Sequence, residues 1–349
     1  MKFSITFQAT GTTWLVEGEV SDVPVSDLSN SVDASSSTGS VYINDLGASI
    51  KQRIEDFESI YSRFRSDSLV AQIARAPKGK KSTYIFPEDA RNLFTLYRNM
   101  SDTTDGLVTP LVGRVLSDAG YDSTYSLNPK LAIPSAPKWD EVMEYDHPVL
   151  TVYEPVMLDF GAIGKGYAID IVGQLLKEKG FESYTVNAGG DISHYDSERK
   201  SYTEKQTGIN KTSNIIDLEE IPLRIGLEHP DNPKQIIGVA EILNKSICGS
   251  AGNRRVWRNY HHIINPNTAI SPKHISAVWV VTNTAQNSTA IADALTTGLF
   301  FIEPEMLMKR LVDNSILSKD TIFDFTFEYL IVNADSTMRA ATHFPAKMF

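Results

Sequence analysis

The chain has 349 residues, 42% of them hydrophobic and 22% charged, with a formal net charge of −10 at pH 7. That length supports one large domain or two ordinary ones, and the acidic balance argues against nucleic acid or an anionic membrane as the main partner. The single cysteine, Cys248, excludes an internal disulfide and fits a reducing compartment.

The N-terminus, MKFSITFQATGTTWLVEGEV, alternates apolar and polar residues as a strand does. It lacks the unbroken apolar core of a signal peptide, and no early cysteine is placed to carry a lipid. No run of 18 or more apolar residues occurs, so no membrane span is expected. A cytoplasmic location is the expectation.

Residues 21–40 are rich in Ser and Asp, and residues 194–216 are polar and without period; both are expected to be surface insertions. Ile50, Ile54, Phe57, Tyr61 and Phe64 recur at helical spacing, as do Ala90, Leu93, Phe94, Tyr97 and Met100 after Pro87. A third helix is predicted from about Lys165 to Lys179, with Ala168, Ile171, Val172 and Leu175 inward and Gly180 as its stop. Strand patterns cover Tyr184–Val186, Ile237–Ile242, His274–Thr282 and Phe327–Val332. Helices and strands alternate without a regular βαβ order, which favours an α+β fold over a doubly wound sheet.

Four stretches carry chemistry. LDFGAIGKGYAID, Leu158 to Asp170, has Gly161, Gly164 and Gly166 in neither of the two familiar phosphate-loop spacings. It is either a tight strand-to-helix turn or a helix N-terminus facing an anion, with Lys165 adding charge. TVNAGGDIS ends a strand in paired glycines, which suit a simple turn or a close backbone approach. In YHHIINPNTAISP, His262 is a candidate base or a structural residue beside a turn. No second histidine lies at zinc-ligand spacing. In STAIADALTTGLFF, Asp293 is the only charge on an apolar helix and Thr297 lies one turn on, on the same face. A buried hydrogen bond or a hard cation such as Mg²⁺ would each account for that carboxylate.

In this order, and with GTTW (Gly11 to Trp14), SRFRSDSLVAQI (Ser62 to Ile73), TDGLVTPLVGRVL (Thr104 to Leu116) and RIGLEHP (Arg224 to Pro230), the stretches resemble the FAD:protein FMN transferase (ApbE) family. The resemblance spans most of the chain as one flavin transferase domain over residues 1–349, with mixed and antiparallel sheets, flanking helices and a T-fold-like arrangement. It implies Mg²⁺-dependent transfer of the FMN half of FAD to a threonine hydroxyl of an acceptor protein bearing a Ser-Gly-Ala-Thr type of site, with release of AMP. Carried over by position, Asp293, Thr297 and the Ala162 carbonyl would hold the metal. Asp159 and Lys165 would lie along the FAD, with Phe64, Leu107, Val108 and Thr109 against the flavin and His262 as base.

The chain departs from the family pattern at several positions. Val108 and Thr109 replace a Phe-Asp pair. Asn265, Asn267 and Ala269 replace an acid, a basic residue and a glycine. Cys248-Gly249-Ser250-Ala251 stands for Ala-Thr-Ser-Gly. The same site would serve an FAD pyrophosphatase yielding FMN and AMP. The departures are what would support a flavin-binding module without catalysis.

Overall fold

The computed structural model describes residues 2–19, 37–197, 222–283, 286–313 and 327–349. The alternating N-terminus forms two strands, β1 (Lys2–Ala9) and β2 (Thr12–Glu19), paired antiparallel. Thr10 and Gly11 join them, both with positive φ (50° and 71°), the geometry of a two-residue hairpin turn.

Helix α1 (Ser37–Tyr61) follows, then α2 (Leu69–Ile73), β3 (Ser82–Ile85), α3 (Ala90–Thr103), a 3₁₀ turn at Pro110–Val112, α4 (Gly113–Asp118) and α5 (Trp139–Val142). Strands β4 (Met143–Asp146) and β5 (Val149–Val152) lead to α6 (Gly164–Glu178), β6 (Ser183–Ala188) and β7 (Asp191–Asp196). Next come β8 (Leu223–His229), β9 (Asn232–Ile242), β10 (Ser246–Ala251), a short ribbon of β11 (Val256–Trp257) and β12 (Tyr260–His261), and β13 (Ile275–Thr282). The chain closes with α7 (Ser288–Gly298), α8 (Pro304–Asp313), β14 (Glu328–Asn333), β15 (Met338–Ala340) and β16 (Ala346–Met348).

The main sheet has eight strands in the order β1-β2-β6-β7-β10-β13-β14-β15, each neighbour antiparallel to the next. Two three-stranded sheets, β3-β5-β4 and β16-β9-β8, flank it. This is the α+β class that the irregular order of elements predicted. No helix among the described residues is long and apolar enough to cross a membrane.

The helical periods mark the core. Ile50, Ile54, Phe57 and Tyr61 of α1 are buried, as are Leu93, Phe94, Tyr97 and Met100 of α3. They pack with Trp14 and Val16 of β2, Val172 and Leu176 of α6, and Val278 and Val280 of β13. A smaller satellite core forms apart from these, with Val115, Leu116 and Ala119 against Tyr121, Trp257, Ile264 and Ala269.

Three expected boundaries differ. The pattern placed Phe64 on the first helix, but α1 ends at Tyr61, and a turn closed by Arg65 N to Ser62 O (3.3 Å) carries Phe64 to the satellite core. Residues 37–40, counted with the first insertion, begin α1, and 21–36 lie outside the described residues. His194 to Asp196, counted with the second, extend β7 because their backbone still pairs with β6; 198–216 lie outside the described residues.

Helices α6 and α7 cross unusually closely. A Cβ on Gly166 would lie 2.4 Å from the Thr289 carbonyl oxygen, so only glycine fits there. The first turn of α7 is fixed by Asp170 of α6, whose carboxylate accepts the N–H groups of Thr289 (3.1 Å) and Ala290 (2.8 Å). A side chain 119 positions before Thr289 thus does what a local N-cap does elsewhere. Gly166→Ala is expected to force the helices apart and lower unfolding stability by about 1–3 kcal/mol. Urea melts check this, and an unchanged midpoint would contradict the close crossing.

Candidate functional site

A cleft of about 530 Å³ opens where the β1–β2 turn, the end of α1, the loop before α4, the start of α6 and the second half of α7 converge. Phe64, Leu107, Val108 and Thr109 line one side of it. Asp159, Ala162 and Lys165 line the turn into α6, with Asp293 and Thr297 on α7 and His262 after β12. Residues spread from position 64 to position 297 therefore share one cavity. A second hollow, of about 570 Å³ beside Arg98 and Trp139, contains none of them.

The glycine-rich turn is held on both sides. Asp159 is buried; one carboxylate oxygen accepts Gly161 N–H at 2.7 Å and the other is ion-paired with Nε of Arg63. Its own N–H donates to the Pro110 carbonyl at 2.7 Å, which ties the turn to the loop opposite. The Arg63 guanidinium lies 4.2 Å from the Phe64 ring centre and 5.0 Å from that of Tyr121, while Nη2 is buried without a partner.

Lys165 is not the unattached cation its sequence position suggested. Its Nζ is ion-paired with Asp191, whose other oxygen accepts Gly249 N–H at 2.9 Å. Burial alone would lower the Lys165 pKa, but the carboxylates of Asp191 and Asp293 hold it above its usual value. Asp191 closes the paired-glycine turn of TVNAGGDIS, so that turn positions a carboxylate as well as a backbone.

Asp293 is buried, and its Oδ2 accepts Gly166 N–H at 2.9 Å, across the close crossing of α6 and α7. Burial, and then the charge of Asp191, raise its pKa. Thr297 lies one turn on and half-buried, on the same cleft face. The neighbouring Thr296 is turned away, donating to the Asp293 carbonyl (2.7 Å) and pairing with the Ser250 hydroxyl (2.8 Å).

His262 keeps Nδ1 buried and without a partner. Burial, and then the positive charge of Arg255, lower its pKa to about 3, so the imidazole is neutral. His261 is occupied structurally: Nε2 lies 2.7 Å from the Pro272 carbonyl and Nδ1 accepts Ile263 N–H at 3.3 Å. Among the described residues no three His, Cys, Asp or Glu side chains group as metal ligands, which leaves no zinc site there.

The departing positions serve as local scaffolding. Thr109 caps the 3₁₀ turn through Leu111 N–H (3.3 Å), and Val108 N–H donates to the Thr104 hydroxyl (2.9 Å). Asn265 Oδ1 accepts the N–H groups of Asn267 (2.9 Å) and Thr268 (3.2 Å), and Ala269 adopts φ of 55°. The backbone there is left-handed, which suits glycine better than alanine. Arg63, Asp191, Arg255 and Tyr125 are cleft or cleft-supporting residues that the motifs did not single out. Arg63 adjoins Phe64 within one motif, and Asp191 is the sole charge beside the paired glycines, so both had a local signal.

Known proteins match nearly the whole chain in family and fold. The family model for the ApbE family matches residues 18–317. An FAD:protein FMN transferase from Vibrio cholerae serotype O1 is 27% identical over 164 residues, covering 46% of this chain and 42% of that protein. The aligned part is thus less than half of that relative's length. Among solved structures, the flavin transferase ApbE from Vibrio cholerae superposes with a TM-score of 0.70 at 19% identity, covering 99% of this chain and 98% of that one. The ApbE protein of Thermotoga maritima does so with a TM-score of 0.72 at 19% identity, covering 99% and 100%. With the family model spanning all but the ends, and the whole fold shared, the chain belongs to the ApbE family.

Proposed function

We propose that the chain is a flavin transferase that moves the FMN half of FAD onto a threonine hydroxyl of an acceptor protein and releases AMP. One observation carries the reading. Ten residues, drawn from five separated stretches and carried over from the family pattern, line a single cleft. The names of the relatives support the same activity.

The donor chemistry fits Mg²⁺. A buried carboxylate on an apolar helix, a hydroxyl one turn away and a backbone carbonyl are hard oxygen donors, and no softer ligand set competes among the described residues. Asp293, Thr297 and the Ala162 carbonyl would hold the ion. When bound, the ion neutralises charge on the pyrophosphate as AMP departs.

The other roles belong to side chains. Asp159 and Lys165 line the path of the FAD, each already fixed by its own partner, Arg63 and Asp191. They bring geometry rather than free charge, so the ligand meets a preorganised wall. His262 accepts the proton of the attacking hydroxyl at Nε2, since Nδ1 is buried. Its lowered pKa makes it a weak base in the free protein. A bound pyrophosphate adds negative charge opposite Arg255 and Lys165, which raises that pKa and matches the base to its task only when substrate is present. Phe64, Leu107, Val108 and Thr109 form the surface offered to the flavin ring.

The direct test is intact mass of a small acceptor domain bearing a Ser-Gly-Ala-Thr site, incubated with the protein, FAD and Mg²⁺, with AMP followed in parallel. One added FMN per acceptor is expected, abolished by chelator and by replacing the acceptor threonine with alanine. AMP release without acceptor modification would replace this reading with FAD hydrolysis. FAD retained without AMP release would leave a binding module.

Asp293→Ala is expected to lower Mg²⁺-dependent turnover by at least about a hundredfold, or roughly 3 kcal/mol of barrier. The fold should persist with a loss of about 1–3 kcal/mol, since the Gly166 N–H is left unpaired. Turnover measured across Mg²⁺ concentrations, beside a thermal melt, reads both; unchanged turnover at limiting Mg²⁺ would refute the metal assignment. His262→Ala should slow transfer by about 10²–10⁴-fold with the Kd for FAD little changed. Equal losses in rate and binding would make His262 a binding residue instead.

A further inference from the structure

The segment following α4 turns back over the cleft on a compact local frame. Asp122 accepts the N–H groups of Thr124 (2.9 Å) and Ser126 (3.1 Å) and both of their hydroxyls, and its carbonyl accepts Tyr125 N–H at 3.1 Å. Held between these anchors, Tyr125 adopts φ of 52°, a left-handed backbone that bulky residues rarely take. The residue lines the cleft and is 52% exposed. Its ring lies parallel to that of Phe64, with centroids 5.4 Å apart and planes 11° from parallel; the edge of Tyr121 meets it at 5.5 Å. Its hydroxyl has no partner among the described residues.

We propose that Tyr125 is a specificity-determining residue for the planar ring of the ligand. The ring takes the place of Tyr125 on Phe64, and Tyr125 re-seats on the outer face of the ring. Two parallel rings at 5.4 Å leave no room for a third, because a sandwiched ring needs about 7 Å, twice a contact of about 3.5 Å. The slot is therefore filled by the protein's own side chain in the free state. Opening it requires only that an exposed ring give up two aromatic contacts, while the Asp122 frame keeps the backbone in place. A ligand without a planar ring at this point gains nothing by displacing Tyr125, whereas a flavin-sized ring gains two stacking faces. The inference rests on the flavin reading above, in which Phe64 meets the isoalloxazine.

The test is calorimetric titration of FAD and of ADP, which keeps the adenine and a diphosphate but lacks the flavin, into the full chain and its Tyr125→Ala and Tyr125→Phe variants. Tyr125→Ala is expected to weaken FAD by about tenfold, as loss of one stacking face does, and to leave ADP within about twofold. Tyr125→Phe should keep FAD affinity but raise the emission of the bound flavin, because a stacked phenol quenches it by electron donation and a benzyl ring does not. Equal weakening of FAD and ADP would mean a structural role, or an adenine in the slot, and would overturn the assignment. Unchanged FAD affinity in Tyr125→Ala would overturn it alone. Uptake of ADP but not FAD by the unaltered chain would bring down the flavin reading and the slot with it.

Discussion

A carboxylate buried between two helices is the constraint from which the rest of the site follows. Taking Asp293 out of water is costly unless its oxygens are met by donors or a cation. The Gly166 N–H meets one of them, and only because glycine lets α6 and α7 approach within backbone contact. Asp170 then fixes the other end of the same crossing by capping α7. Close by, Lys165 faces Asp191 and Asp293 together, so one ammonium stands against two carboxylates and the local balance is negative. Under the proposed function, that balance is what the metal ion would meet.

Burial, and then the positive charge of Arg255, keep the imidazole of His262 neutral. The two ion pairs, Arg63 with Asp159 and Lys165 with Asp191, hold the turn before α6 rigid from both flanks. Under the proposed function that rigidity matters, because reactions of phosphoryl esters depend mostly on positioning and electrostatics.

Much of this was legible in the sequence. The periods in α1 and α3 pointed to side chains that are in fact buried, and in α6 Ala168 and Val172 are buried while Ile171 and Leu175 are partly so, because burial of one helical face is a local consequence of 3.6-residue repetition. The lone charge on the α7 segment marked Asp293, and four-residue spacing put Thr297 beside it. What the sequence hid were partners distant in the chain. Lys165 looked available because Asp191 lies 26 positions on, and Asp159 gave no sign of Arg63, 96 positions earlier. Phe64 continued a helical pattern past the point where a turn broke it, since a pattern of apolar residues carries no information on where the backbone stops supporting it.

The satellite core bears on how such a protein changes over time. Val115, Tyr121, Trp257 and Ile264 pack with one another rather than with the main core, yet residues from both clusters line the cleft. Energetic effects of substitutions in separately packed clusters add nearly independently. One side of the mouth is therefore free to be recut by drift without loosening the α6–α7 crossing. Thr109 lines the cleft, and Ala269 belongs to the satellite core.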